Sequence, residues 1–174
     1  MRIASLLGLC ALQIPMLAAM EPAGTTPLLL QVGGTYLGPN LREELNTDWG
    51  YSVGLSVLIA ESALIGVPST DLNLRVANEG DGQFTSFSAY YAERVLMGGQ
   101  TWFGFGVGSN YVKLKLDELP GRPSYVDNRW GLAVKGMLGY LITDRVFVEA
   151  TYHYTGKIGD IDTSSTSLCL GYWF

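Results

Sequence analysis

A period-two alternation sustained over eleven residues, and repeated along the chain, restricts this sequence more than any other feature. In DWGYSVGLSVLIA, Trp49, Tyr51, Val53, Leu55, Val57 and Ile59 alternate with Gly50, Ser52, Gly54, Ser56 and Leu58. Successive side chains of an extended strand point to opposite faces, so one face is large and apolar and the other small and mostly polar. Soluble strands average about 5–6 residues, whereas a strand tilted across hydrocarbon needs about 9–11.

The pattern recurs. NRWGLAVKGMLGYLI sets Trp130, Leu132, Val134, Leu138 and Tyr140 against Gly131, Ala133, Lys135, Met137 and Gly139. DRVFVEATYHYTG sets Val146, Val148, Ala150, Tyr152 and Tyr154 against Phe147, Glu149, Thr151, His153 and Thr155. In TSSTSLCLGYWF, Thr166, Leu168, Leu170, Tyr172 and Phe174 share one parity. Aromatic residues stand at the ends of these apolar faces, as interfacial girdles require; Trp49, Tyr51, Trp130, Tyr140 and Tyr154 are the girdle candidates.

Eight segments carry such a pattern: 28–38, 49–60, 70–78, 84–97, 101–117, 128–142, 145–156 and 163–174. Eight strands are the smallest common number for a closed membrane barrel, and hydrocarbon offers no hydrogen-bond partner to an open edge, so the first strand must pair with the last. Only 16% of residues are charged, and 22 glycines and 10 tyrosines suit closely approaching twisted strands. The net charge of −5 argues against a nucleic-acid partner, which needs a basic stripe.

The first residues differ in kind. MRIASLLGLCALQIPMLAAM has Arg2, an uncharged apolar run and small residues at Ala18 and Ala19, the pattern of a secretory signal peptide over 1–20 with cleavage somewhere in 19–24. The barrel is assigned to 25–174. Cys169 is then the only cysteine of the processed chain, which excludes an internal disulfide. After residue 25 no stretch approaches eighteen apolar residues, so a helical membrane bundle is excluded.

The connections alternate in length. MGGQ and TDR are short; GPNLREELNT, DELPGRPSYVD and the GKIGDID region are polar and mostly longer, and read as outward loops. Residues 60–70, AESALIGVPST, are long and apolar on the short-turn side, either strand extension or a short helical turn. A three-residue turn at Thr143, Asp144 and Arg145 places Leu138 opposite Ala150 outside and Lys135 opposite His153 inside. In strand 84–97 the two parities put either Arg94 or Glu93 inside.

With these residues in view, the chain resembles the small eight-stranded outer-membrane barrels of the OmpA and OmpX kind, and most closely the opacity-type "outer membrane protein beta-barrel" group. The resemblance is carried by FGFGVGSNY at 103–111, GLAVKGMLGYLITDRVFVEATYHY at 131–154 and SLCLGYWF at the end. It implies a porin-like barrel in an outer membrane, with Leu168, Leu170, Tyr172 and Phe174 matching the family's signal for the barrel-assembly machinery. Fold does not determine activity, so no specific activity follows.

Few residues offer chemistry. GFGVGSN at 104–110 lacks the third glycine of a phosphate-cradling loop and no helical pattern follows it, so its glycines read as lumen lining. His153 is the only histidine and has no cluster of metal-ligand types around it. Barrels of the lipid A deacylase family carry a His-x-Ser pair; here Thr155 stands in the serine position and no glutamate follows Glu149. Arg75, Lys135, Glu149 and His153 point into a lumen that is narrow at eight strands, where charges require partners. The loops hold an excess of Asp and Glu over Lys and Arg.

The expectation is therefore an all-β, eight-stranded antiparallel transmembrane up-and-down barrel, monomeric, with a structural or surface-interaction role. No enzymatic activity, cofactor or metal is expected. The expected partners are outer-membrane lipids and lipopolysaccharide, with the barrel-assembly machinery during biogenesis and no nucleic acid. The alternatives are a lipid A-modifying hydrolase using His153, or a narrow pore.

Overall fold

The computed structural model of the chain describes residues 28–59, 65–78, 80–118, 120 and 123–174. The signal segment 1–20 and its cleavage region lie outside the described residues. Eight long strands close on themselves: β1 (Leu28–Leu37), β2 (Trp49–Leu58), β3 (Val67–Ala77), β4 (Gly82–Gly98), β5 (Thr101–Leu116), β6 (Tyr125–Leu141), β7 (Val146–Tyr154) and, last, β10 (Ser165–Trp173). Each neighbouring pair is antiparallel, and β1 pairs with β10 to seal the barrel. A helix α1 (Pro39–Leu45) follows β1, and a small hairpin of β8 (Lys157–Ile158) and β9 (Ile161–Asp162) follows β7.

The cross-strand register fixes the barrel's dimensions. Stepping from partner to partner from Trp49 through Tyr36, Thr166, Tyr152, Gly136, Phe105, Glu93 and Pro68 returns to β2 at Ile59, ten residues below the start. Eight strands with this stagger tilt strongly and leave an interior that side chains can fill. The three-residue turn after β6 gives the expected register, with Leu138 opposite Ala150 and Lys135 opposite His153. Ile142 N–H donates to Val146 C=O at 2.8 Å to close it. The β4–β5 turn needs left-handed backbone at Gly98 (φ 109°) and Gly99 (φ 59°), which glycine adopts without a Cβ penalty.

The alternation sorts the residues by face. Val32, Val53, Leu74, Phe87, Phe105, Val107, Leu138 and Leu168 are exposed on the outer wall, while Gln31, Ser52, Ser56, Asp71, Arg75 and Ser88 are buried inside. In β4 the sequence left two parities open; Ser86, Ser88, Tyr90, Ala92 and Arg94 face inward. Glu93 is on the outward parity at the short-turn end, where its carboxylate accepts the N–H groups of Ile65 (2.9 Å) and Gly66 (3.3 Å) and the Tyr91 hydroxyl (2.8 Å). Part of the ambiguous 60–70 stretch is strand, since β3 begins at Val67; residues 60–64 are outside the described set.

Two segments read as polar loops are ordered elements. Pro39 stands in the first turn of α1, where its missing N–H costs nothing, and Asn46 ends the helix in the left-handed conformation (φ 51°). Leu41 and Leu45, four apart, share the face that packs into the barrel mouth. A seven-residue helix is marginal alone, so this packing holds it. The average polarity of GPNLREELNT concealed the two leucines. Similarly, Ile158 in the β8–β9 hairpin is buried against the same cluster.

The interior is layered. At the loop end Leu37, Leu41, Leu45, Phe84, Leu114 and Ile158 form one apolar plug. At the turn end Leu29, Leu58, Val67, Trp102, Phe147 and Trp173 form another. Trp102 and Phe147 meet edge to face at 5.4 Å, and each lies over a glycine: a Cβ on Gly139 would fall 2.1 Å from the Trp102 ring, and one on Gly171 2.1 Å from the Phe147 ring. The glycines on the inner face are therefore sockets for large rings as well as lumen lining.

Candidate functional site

Between the two plugs lies a layer of buried charge. Arg94, projecting from β4, reaches Asp71 of β3 at 3.1 Å and Glu149 of β7 at 3.4 Å, and donates to Ser69 Oγ at 2.7 Å. Lys135 of β6 donates to the same Asp71 Oδ2. The Glu149 carboxylate also accepts Gln31 Nε2 (3.0 Å), Trp102 Nε1 (3.2 Å) and Thr151 Oγ1 (3.2 Å). Desolvating these charges is expensive, and this density of charge-assisted hydrogen bonds is what makes their burial tolerable.

Arg75 sits nearer the loop end without such help. Its guanidinium donates to Ser165 Oγ (2.7 Å), Ser88 Oγ (3.3 Å) and Ser86 Oγ, and its Nε has no partner. Ser86 and Ser88 in turn donate to Asn110 Oδ1 at 2.8 and 2.7 Å. Among the described residues the interior therefore holds three cations, Arg75, Arg94 and Lys135, against two carboxylates, Asp71 and Glu149. Among the described residues no ion pair reaches Arg75.

All four lumen candidates from the sequence are buried in this interior, but they do not form one cluster. Lys135 and Glu149 belong to the Asp71–Arg94 group, while Arg75 has its own serine shell. His153 faces inward, and its Nδ1 lies 3.2 Å from the Tyr90 hydroxyl. The Tyr90 ring also carries Lys135 Nζ at 4.9 Å from its centroid. Among the described residues no serine hydroxyl or carboxylate is hydrogen-bonded to His153, so no nucleophile–base–acid chain is assembled. No group of three or more His, Cys, Asp or Glu side chains is placed to hold a metal among those residues.

Sequence reasoning missed Asp71, which joins Arg94 to Lys135. The information was present: in TDLNLRV, Asp71, Asn73 and Arg75 share the parity opposite the apolar Leu72 and Leu74. Trp102 and Gln31 were missed because a tryptophan on an inner face, and one amide among glycines, stand out only once Glu149 is beside them.

On the outer wall, Trp49, Tyr51, Trp130 and Tyr154 are exposed toward the loop end and Tyr140 toward the turn end. Trp49 packs against Tyr36 and Trp130 against Tyr111 in tilted pairs, each with ring centroids 5.1 Å apart. Tyr140 donates to Gln100 Oε1 at 2.7 Å. Leu168, Leu170 and Tyr172 project outward from β10, and Phe174 N–H bonds to Leu28 C=O at 3.0 Å across the seam, its ring 5.0 Å from Tyr172. Several loop-end carboxylates are locally engaged: Asp48 with Arg42 (3.2 Å), Asp117 with Lys115 (3.1 Å) and Asp127 with Tyr125 (2.8 Å).

No family model and no curated protein matches the chain. Solved structures do resemble it. Ail, the attachment invasion locus protein of Yersinia pestis, superposes with a TM-score of 0.61 at 16% identity, over 87% of this chain and 100% of that one. The N-terminal β-barrel domain of Pseudomonas aeruginosa OprF gives 0.59 at 13% identity, over 87% and 99%. Neisserial surface protein A gives 0.53 at 15% identity, over 84% and 94%. At these identities the shared property is architecture: the chain has the fold of the small eight-stranded outer-membrane barrels.

Proposed function

We propose that this protein is a small outer-membrane barrel with a structural or surface-interaction role, monomeric and without enzymatic activity. One observation carries the reading. The exposed wall is an apolar belt bounded by aromatic residues near both ends, around an interior that buries polar and charged groups, an inversion that only a hydrocarbon surround favours. Outer-membrane lipids, including lipopolysaccharide, would contact that belt, and the barrel-assembly machinery would fold the chain.

The narrow-pore alternative is disfavoured by the plug at each end of the polar layer. The hydrolase alternative is disfavoured because His153 is 1% exposed and faces away from the lipid side. Likeness to Ail and to the Neisserial surface protein supports a surface role by analogy of fold. Ail has been solved with the heparin analogue sucrose octasulfate. The acidic bias of the loops here argues for a basic or cation-bridged partner instead.

Outer-membrane fractionation combined with heat-modifiable gel mobility tests the location. Recovery in the soluble fraction without detergent would refute it. Planar-bilayer recordings of refolded protein should show no discrete steps; regular unitary conductance would restore the pore. Lipid A from cells expressing wild-type protein or His153→Ala should be acylated alike by mass spectrometry, and a difference would restore the hydrolase.

A further inference from the structure

The barrel wall has a notch. The β6–β7 ladder ends at the pair Val134 and Tyr154, yet β6 continues to Tyr125. Backbone groups alternate sides along a strand. Ile142 N–H points to β7 and Leu141 N–H to Gln100 on the β5 side, so the even residues of β6 aim toward β7. Trp130 and Leu132 therefore direct N–H and C=O groups to a side where no strand pairs with them.

This break sits where it matters. Trp130, packed against Tyr111, belongs to the loop-end aromatic row, and Leu132 lies two residues further toward the belt, 85% exposed. Unpaired backbone at the edge of hydrocarbon requires a polar partner. A cavity of about 80 Å³ opens there, lined by Arg129, Gly131, Leu132, Thr155, Gly156 and Lys157 among others. A single water needs only about 10–15 Å³, so the space admits a larger polar group.

Its charge selects the occupant. Arg129 and Lys157 are both exposed and, among the described residues, neither is ion-paired; Arg129 donates to the Lys157 carbonyl at 2.9 Å, which holds the two together. Of the nearby carboxylates, Asp127 is turned to Tyr125 and to Asn128 N–H, and Asp162, opposite Lys157 in the β8–β9 hairpin, to Ser164, while Asp160 stands exposed in the turn of that hairpin. We infer that the notch between β6 and β7 binds the phosphoryl headgroup of an anionic outer-leaflet lipid. The Arg129 and Lys157 cations and the free Leu132 and Trp130 backbone face the phosphate, and the lipid's acyl chains run down the wall over Leu132, Val134 and Tyr154. This rests on the membrane reading above.

The test is native mass spectrometry of the refolded protein released from mixed micelles containing dioleoyl-phosphatidylglycerol and dioleoyl-phosphatidylcholine. Two charge-assisted contacts predict about tenfold or greater preferential retention of phosphatidylglycerol. The pair Arg129→Gln with Lys157→Gln should abolish the preference. Gly131→Leu should also abolish it by filling the notch with both cations intact, since a Cβ there meets nothing within 4 Å. Lys113→Gln with Lys115→Gln, on the outer face of β5, should leave it unchanged. Equal retention of the two lipids by wild type, or a preference surviving both notch variants, overturns the inference. So does displacement of the lipid by millimolar inorganic phosphate, or a dimer mass showing that a second copy fills the edge. Failure to enter micelles as a heat-modifiable species would instead sink the membrane reading, which keeps the two failures distinct.

Discussion

Asp71→Asn is the most demanding test of the interior. The substitution keeps the side-chain volume, so it opens no cavity, and, among the described residues, it removes one of two lumen-facing carboxylates, Asp71 and Glu149, set against three buried cations. Asp71 takes two contacts from Arg94 and one from Lys135, and the side chains of these partners are only 3% and 2% exposed. Arg94 retains Glu149, but Lys135 is left with no carboxylate in hydrogen-bond contact. Stranding a buried charge in this way costs about 3–5 kcal/mol. With a urea dependence of about 1–3 kcal/mol per molar, the unfolding midpoint in vesicles, followed by tryptophan fluorescence, should fall by at least ~1 M. Adding Lys135→Met removes the stranded ammonium and should recover at least ~1 kcal/mol of the loss, because contacting sites are not additive. A loss under ~1 kcal/mol for Asp71→Asn, or no recovery in the double variant, would refute the account of the layer as a coupled charge network.

Arg75→Met should behave oppositely: it deletes a cation with no carboxylate partner while Ser86 and Ser88 keep Asn110, so stability should stay within about 1 kcal/mol of wild type in the same urea titration. Gly171→Ala drives a Cβ into the Phe147 ring and should cost about 1–3 kcal/mol, relieved by a compensating Phe147→Leu. Leu41→Ala removes a fully buried side chain from the loop-end plug and should cost about 2–5 kcal/mol. Bilayer recordings of the same variant should remain free of steps, because the turn-end plug is untouched.

Much of this was readable in the one-dimensional pattern, because a strand's two faces are a local property with a period of two. Alternation supplied the number of strands and the faces of Lys135, Glu149 and His153; the need to close every edge in hydrocarbon supplied the seam between first and last, and the length of the turn at 143–145 the β6–β7 register. It failed where the deciding information was not local. The parity of β4 was settled only when Arg94 met Glu149, 55 residues away in the chain. α1 and Ile158 became elements only because the barrel mouth offered an apolar surface to cover. The plugs of Trp102 and Phe147 depend on Gly139 and Gly171 of neighbouring strands. The notch exists because β6 outruns β7, a mismatch that neither strand's sequence reveals alone. The chain's own order of residues determined which side chains face in and which face out; the stagger of ten around eight closed strands decided which of the inward ones meet, since contact across a barrel is a consequence of shear and not of spacing.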